Sequence, residues 1–240
     1  MSHPEGPTFL ELARQALSST ERGYDLLAGK FDHTPFRTPD AILDATAPHV
    51  GEVDRGLDLC CGTGAAMRML RPLCRERVVG VDFSRGMLAQ ARRRLASAAG
   101  DAELRFVRRD VLELDDEAVY DVVTCFGACG HIPRRDQARL ADVVHRALRP
   151  GGRFLFATAC RLKPWSWRLW LAVGFDVSIR VRNLLWRPPF HMYYLNFLLP
   201  RARHVLETRG FDVVEHAGFC PSFPRLCLVV ARRRGEPDGS

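Results

Sequence analysis

Hydrophobic residues are distributed in three different textures along the 240-residue chain. From Thr8 to about Val50 they recur at helical spacing, first Leu10, Ala13 and Leu17, later Ile42, Leu43 and Ala45, the rhythm of helices with one apolar stripe. Thr38-Pro39 reads as a helix start, with a capping hydroxyl before a proline at the first helical position. From Arg55 to Cys160 short apolar runs alternate with amphipathic stretches. The runs Gly56–Cys60, Val78–Val81, Leu104–Val107, Tyr120–Cys125 and Arg153–Thr158 predict strands. Ala65–Leu73, Ser84–Ala98 and Pro133–Leu148 predict the helices between them. Short strands that are apolar on both faces, separated by helices, imply a parallel sheet covered on both sides. After a stretch without this alternation it resumes, with a helix at Arg201–Arg209 stopped by Gly210 and strands at Phe211–Val214 and Leu226–Ala231. The tail from Arg232 to Ser240 has no apolar anchor and is expected to be disordered.

Composition adds two constraints. No apolar run reaches the roughly 18 residues of a membrane span, and Met1–Pro7 lacks the basic and apolar blocks of a secretory signal. The eight cysteines include the adjacent pair Cys60-Cys61 but no Cys-x-x-Cys, which suits reduced thiols in a cytoplasm and argues against a disulfide framework or zinc site. Charge is more telling by region. Between Arg161 and Val205 there are eight Lys or Arg against one acid, Asp176, and the remainder of the chain is balanced. All four tryptophans, Trp165, Trp167, Trp170 and Trp186, fall in this same stretch.

The densest local chemistry is Leu57-Asp58-Leu59-Cys60-Cys61-Gly62-Thr63-Gly64, which leaves a strand and opens a helix. Gly62 and Gly64 allow a tight turn and close approach of a ligand to the backbone. A dinucleotide-binding turn places a small residue three after its second glycine, where Met67 stands, and keeps acids away from the pyrophosphate, whereas Asp58 precedes this turn. An acid there suits a cationic amino-acid moiety. A second carboxylate, Asp82, ends the Val79-Gly80-Val81-Asp82 run, about where doubly wound folds place an acid for ribose hydroxyls. The other reading of Asp82 is a solvated strand-end or helix-capping acid, next to Ser84 at the start of the following helix.

With these motifs the chain resembles the class I S-adenosylmethionine-dependent methyltransferases, in particular the small-molecule branch of the ubiquinone and menaquinone biosynthesis type. Cys60 stands where that family's loop has its first glycine. Phe106-Val107-Arg108-Arg109-Asp110-Val111 and the turn Pro150-Gly151-Gly152 before the next strand follow in register. The resemblance implies a Rossmann-like α/β fold with a mostly parallel seven-stranded doubly wound sheet. It implies a helical cap at 1–50, a donor-binding domain at 51–240 and a lid inserted after the fifth strand at 161–200. It further implies S-adenosyl-L-methionine as cofactor, no metal, and donor contacts from Tyr24, Asp58, Cys60, Gly62, Gly64, Asp82, Phe83, Met87, Arg109, Asp110, Val111 and Cys125. Asp82 is expected at the ribose, Asp110 at the adenine amine.

The loop after the fourth strand lacks the motifs of nucleobase or cytosine C5 methylation, so Cys125 reads as a packed thiol. His131 is the candidate general base, since neutral imidazole can accept a proton near pH 7; its alternative is capping or packing at a helix start. In the insert, His191, Tyr193 and Tyr194 are candidate pocket residues. Its arginines can grip an acidic acceptor, lean on lipid headgroups or simply face solvent. No separate nucleic-acid-binding module is visible, and the expected partner is a small-molecule acceptor, acidic or amphiphilic and largely apolar.

Overall fold

The computed structural model describes residues 5–34, 36–160 and 165–235, so Arg161, Lys163 and the tail beyond residue 235 lie outside the described residues. The N-terminal region folds into α1 (Phe9–Leu17), α2 (Thr20–Leu27) and α3 (Asp40–Val50). Alternating elements follow: β1 (Val53–Leu59), α4 (Ala65–Leu70), β2 (Cys74–Asp82), α5 (Arg85–Leu95), β3 (Glu103–Arg108), β4 (Tyr120–Thr124), α6 (Gln137–Ala147) and β5 (Leu148–Ala159). The chain closes with α7 (Trp167–Leu185), α8 (Leu199–Glu207), β6 (Phe211–Ala217) and β7 (Leu226–Arg233).

The strands form one seven-stranded sheet in the order β3-β2-β1-β4-β5-β7-β6. β1 to β5 pair in parallel, while β7 runs antiparallel to both β5 and β6. Strand order reverses between β1 and β4, and a sheet of this kind opens a crevice at that point, outside the carboxyl ends of its strands. Both faces are packed. Leu57, Leu59 and Phe156 meet Val144 of α6 and Leu206 of α8 on one side, and Val78, Val122 and Leu155 meet Leu43, Met67 and Leu88 on the other. The alternation along β1 decides which residue goes where, because neighbouring side chains point to opposite faces. Ile42, Leu43 and Val50 of α3 belong to the second cluster, so the N-terminal helices share the core of the sheet.

The structure differs from the sequence reading in several places, and β5, which opens at Leu148, takes in the Pro150-Gly151-Gly152 segment read as a turn. Helix α1 is opened by a reciprocal capping box between Thr8 and Glu11, but Leu10 and Leu17 are exposed, so its apolar stripe is not a core stripe. At Thr38-Pro39 the proline occupies the N-cap and Thr38 caps nothing; Asp40, bonded to Arg37, is the first helical residue. The tail is ordered further than expected, since Arg232 and Arg233 extend β7 against β6. The insert, which showed no regular rhythm, carries the 19-residue helix α7.

Candidate functional site

A cavity of about 420 Å³ lies at the switch point, bounded by the ends of β1, β2 and β4 and roofed by the N-terminal helices. Its floor is set by backbone geometry. Cys60, Gly62 and Gly64 all take positive φ, 53°, 53° and 86°, so the chain coils tightly between β1 and α4. For Cys60 this conformation costs roughly 1–2 kcal/mol that a glycine would be spared. Gly64 serves packing, because a Cβ there would stand 2.7 Å from Leu95 Cδ1 of α5. Gly80 of β2 is tighter still: a Cβ would meet Met67 Sδ at 2.2 Å. Its bare backbone lets α4 lie against the sheet and fixes the level at which the loop begins.

Two buried carboxylates face the cavity. Asp58 sits in register between Gly80 and Thr124, and the Thr124 hydroxyl donates to its Oδ1 at 2.8 Å. Burial pushes the Asp58 carboxyl up to about 7, and the nearby Asp82 charge pushes the same way. Asp82 accepts from the Gly62 N–H at 2.9 Å and the Ser84 N–H at 2.8 Å. Its carboxyl is raised to about 6, again chiefly by burial, because those bonds only partly offset the loss of water. Two buried acids sharing one cavity, with no cation paired to either among the described residues, are poised for a ligand that brings positive charge or hydrogen-bond donors.

The roof is latched to the floor. Asp32, after α2, accepts from the Thr63 hydroxyl at 2.6 Å and pairs with Arg94 of α5. Asp25 of α2 accepts from the Ser84 hydroxyl at 2.6 Å and the Gly86 N–H at 2.8 Å at the head of α5. Tyr24 lies beside Asp25 on α2 and reaches across the cavity, its hydroxyl 2.8 Å from His131 Nε2. His131 Nδ1 bonds the His191 carbonyl. A carbonyl can only accept, so Nδ1 carries the proton and Nε2 receives the Tyr24 O–H. Burial lowers the pKa of His131 and raises that of Tyr24, which keeps both neutral.

Of the residues singled out from sequence, Tyr24, Asp58, Cys60, Gly62, Asp82, Phe83, Met87 and His131 line this one cavity. Gly64, Arg109, Asp110, Val111 and Cys125 do not. Asp110 is exposed at the end of β3, where its carboxylate accepts from the Leu112 N–H; Arg109 pairs with Asp115. Val111 and Cys125 are core side chains, and the Cys129 thiol points at the Cys125 sulfur at 3.9 Å. In the insert, Tyr194 lines the cavity together with Met192. Tyr193 turns away, its hydroxyl accepting from Asn183 of α7 and its ring lying under the Arg180 guanidinium. His191 contributes its carbonyl. Phe31, Phe36, Arg37, Thr38, Ile42, Phe126 and Leu226 complete the wall. Most of these leave little signal in a sequence, since an apolar wall residue carries no motif.

Among the described residues no cluster of His, Cys, Asp or Glu could hold a metal ion, and no helix is long and apolar enough to cross a membrane. The sheet order and the two strand-end acids around a glycine loop define a Rossmann-like methyltransferase fold. Residues 57–152 match the methyltransferase domain family. A demethylmenaquinone methyltransferase of Leptospira interrogans is 29% identical over 192 residues, 75% of each chain. A ubiquinone biosynthesis O-methyltransferase of Alkalilimnicola ehrlichii is 31% identical over 121 residues, 50% of this chain and 48% of that one. Among solved structures, magnesium protoporphyrin IX methyltransferase of Synechocystis, with bound S-adenosylhomocysteine, shares the fold at a TM-score of 0.58 and 17% identity, covering 94% of this chain and 93% of that one. Residues 57–152 thus form a methyltransferase domain, and beyond it the chain is similar to S-adenosylmethionine-dependent methyltransferases in sequence and fold.

Proposed function

We propose that this enzyme methylates a small, largely apolar, amphiphilic acceptor, with the donor lying across Asp58 and Asp82 and the acceptor admitted between the roof and the insert. The observation that carries this reading is the division of the cavity. Its lining divides by chemistry into the two buried carboxylates with the left-handed loop and an apolar set, Phe36, Phe126, Met192, Tyr194 and Leu226. The donor fits the polar end. Asp58 faces its ammonium, Asp82 accepts from the ribose hydroxyls through the lone pairs that Gly62 and Ser84 leave free, and Phe83 and Met87 pack on the nucleoside. Asp110, with Arg109 and Val111, follows Arg108, the register partner of Asp82, and takes the adenine amine at the same sheet edge. Residues 1–50 act as the cap and 161–200 as the lid.

When bound, the donor supplies a methyl carbon on a positively charged sulfur, which leaves as a neutral thioether with the bond pair. The protein's part is to align an acceptor lone pair with that carbon, which can supply a large share of the acceleration, and to remove the acceptor's proton. His131 receives that proton at Nε2 through Tyr24, whose oxygen takes it as the phenolic proton passes to the imidazole. The names of the two quinone-pathway relatives make menaquinone and ubiquinone precursors the first acceptors to try. The test pairs calorimetry of S-adenosylhomocysteine binding with a mass-spectrometric screen for acceptors that gain one methyl group. Binding without methylation across apolar phenols, quinols and fatty acids, with transfer to polar acceptors instead, would refute the acceptor assignment.

A further inference from the structure

Helix α7 is mounted inside out. Successive residues turn about 100° around a helix axis, and on that wheel Trp170, Leu171, Val177, Val181, Leu184 and Leu185 occupy one continuous arc of roughly 140° that contains no charged residue. Every one of them is exposed, Leu184 by 84% and Leu185 by 75%. The opposite face is buried, and beside Ile179 it carries the polar residues that anchor the helix. Asp176 is 5% exposed and accepts from the N–H groups of Tyr194 and Leu195 at 2.8 and 3.2 Å. Asn183 bonds the Phe190 backbone on both sides, and Arg182 donates to the Pro188 and Ser18 carbonyls. A helix on a water-facing surface normally presents the reverse. Here polar side chains fix the helix to the body, and the apolar arc is left pointing outward.

We propose that α7 is a membrane-surface helix, lying flat in the headgroup region of an anionic bilayer with its apolar arc among the acyl chains. Exposed tryptophans stand at both of its ends, Trp165 before it and Trp186 after it, and indole favours that depth. Exposed Arg180 and Arg187 lie beside the arc in the one strongly basic stretch of the chain, which complements anionic headgroups. The same charge disfavours a second copy as occupant, because pairing two such faces would bring the basic stretches together. This inference goes beyond the methyl-transfer reading and does not depend on the acceptor. It does give the cavity a source, since Asp176 on the inner face of α7 holds the segment whose Met192 and Tyr194 form the cavity wall.

The experiment uses the full chain with vesicles of mixed phosphatidylglycerol and phosphatidylcholine, and with phosphatidylcholine alone. All four tryptophans lie in this stretch, so intrinsic fluorescence reports on it directly. Co-sedimentation with anionic vesicles and a blue shift of emission are expected, both weakening as salt rises because surface attraction is screened within about 10 Å at 0.1 M salt. Leu184→Glu with Leu185→Glu, or separately Trp170→Glu, should lower vesicle partitioning by at least about tenfold while S-adenosylhomocysteine affinity, measured by calorimetry, is unchanged. Retained donor binding shows that each variant is folded. The proposal is overturned if the wild-type chain fails to sediment with anionic vesicles, if it sediments without an emission shift, or if all the folded variants still sediment like wild type. A dimer seen by light scattering that Leu184→Glu dissociates, without vesicle binding, would instead assign the face to a second copy.

Discussion

Replacing Asp58 by asparagine keeps the size of the side chain and an oxygen for the Thr124 hydroxyl, removes the titrating charge, and turns the second acceptor oxygen, which also serves the Met67 N–H, into a donor. In the folded protein without ligand the Asp58 carboxyl sits at about 7, against about 3.9 in an unfolded chain. The folded state therefore binds the proton more tightly, and stability falls as pH rises between those two values. The loss is complete above the folded value and amounts to roughly 4 kcal/mol at 1.36 kcal/mol per pH unit. The asparagine side chain does not titrate, so the difference between variant and wild type isolates this one group from Asp82, which is present in both. Unfolding in urea at pH 5 and pH 8, without donor, should show Asp58→Asn gaining on wild type by roughly 2–3 kcal/mol between the two conditions. The same substitution should weaken S-adenosylhomocysteine binding, since the negative partner for its ammonium is gone. A stability gap that stays constant from pH 5 to pH 8 would refute the picture of a buried, uncompensated carboxylate.

Asp82→Ala removes an acceptor that serves Gly62 and Ser84 as well as the proposed ribose, and donor affinity should drop by roughly 1.5–3 kcal/mol in calorimetry; wild-type affinity would end that assignment. His131→Asn should lower turnover with a competent acceptor far more than it lowers donor affinity. The wild-type rate should fall on the acidic side with a midpoint below the ordinary imidazole value, because burial favours neutral His131, and that limb should vanish in the variant. Tyr24→Phe should reproduce part of the loss, and an undiminished rate in both variants would leave the pair a structural one. Gly80→Ala drives a methyl group into Met67 and should destabilise the fold by roughly 1–3 kcal/mol in denaturant titrations, the opposite of the usual gain from glycine to alanine.

The parts of the site legible in the sequence are those that backbone geometry forces. A turn with three left-handed residues between a strand and a helix needs small residues at fixed intervals, so Cys60, Gly62 and Gly64 announced it, and strand-end acids such as Asp58 and Asp82 stand out against apolar neighbours. The central strands were readable because their buried stretches, such as Val78–Val81 and Val122–Val123, are apolar on both faces, whereas edge strand β3, with Glu103, Arg105 and Arg108 exposed, was marked only by Leu104, Phe106 and Val107. The acceptor end was not readable. Phe36, Arg37 and Thr38 meet Met192 and Leu226 only after the chain has folded, and none has a local pattern that marks it. Helix α7 escaped because its faces are mixed, with Ile179 buried beside Asp176 while Ser178 and Arg180 are exposed with the apolar arc.

The two latches between α2 and the floor tie access to disorder. Asp25 and Asp32 hold the roof by the Ser84 and Thr63 hydroxyls, and those hydroxyls belong to the two loops that form the polar end of the cavity. A ligand that passed by lifting the roof would therefore loosen the surfaces it had just left or was about to meet. Exchange and recognition are then one event, and a tightly held by-product would be expelled by the same fluctuation that prepares the loops to receive its successor.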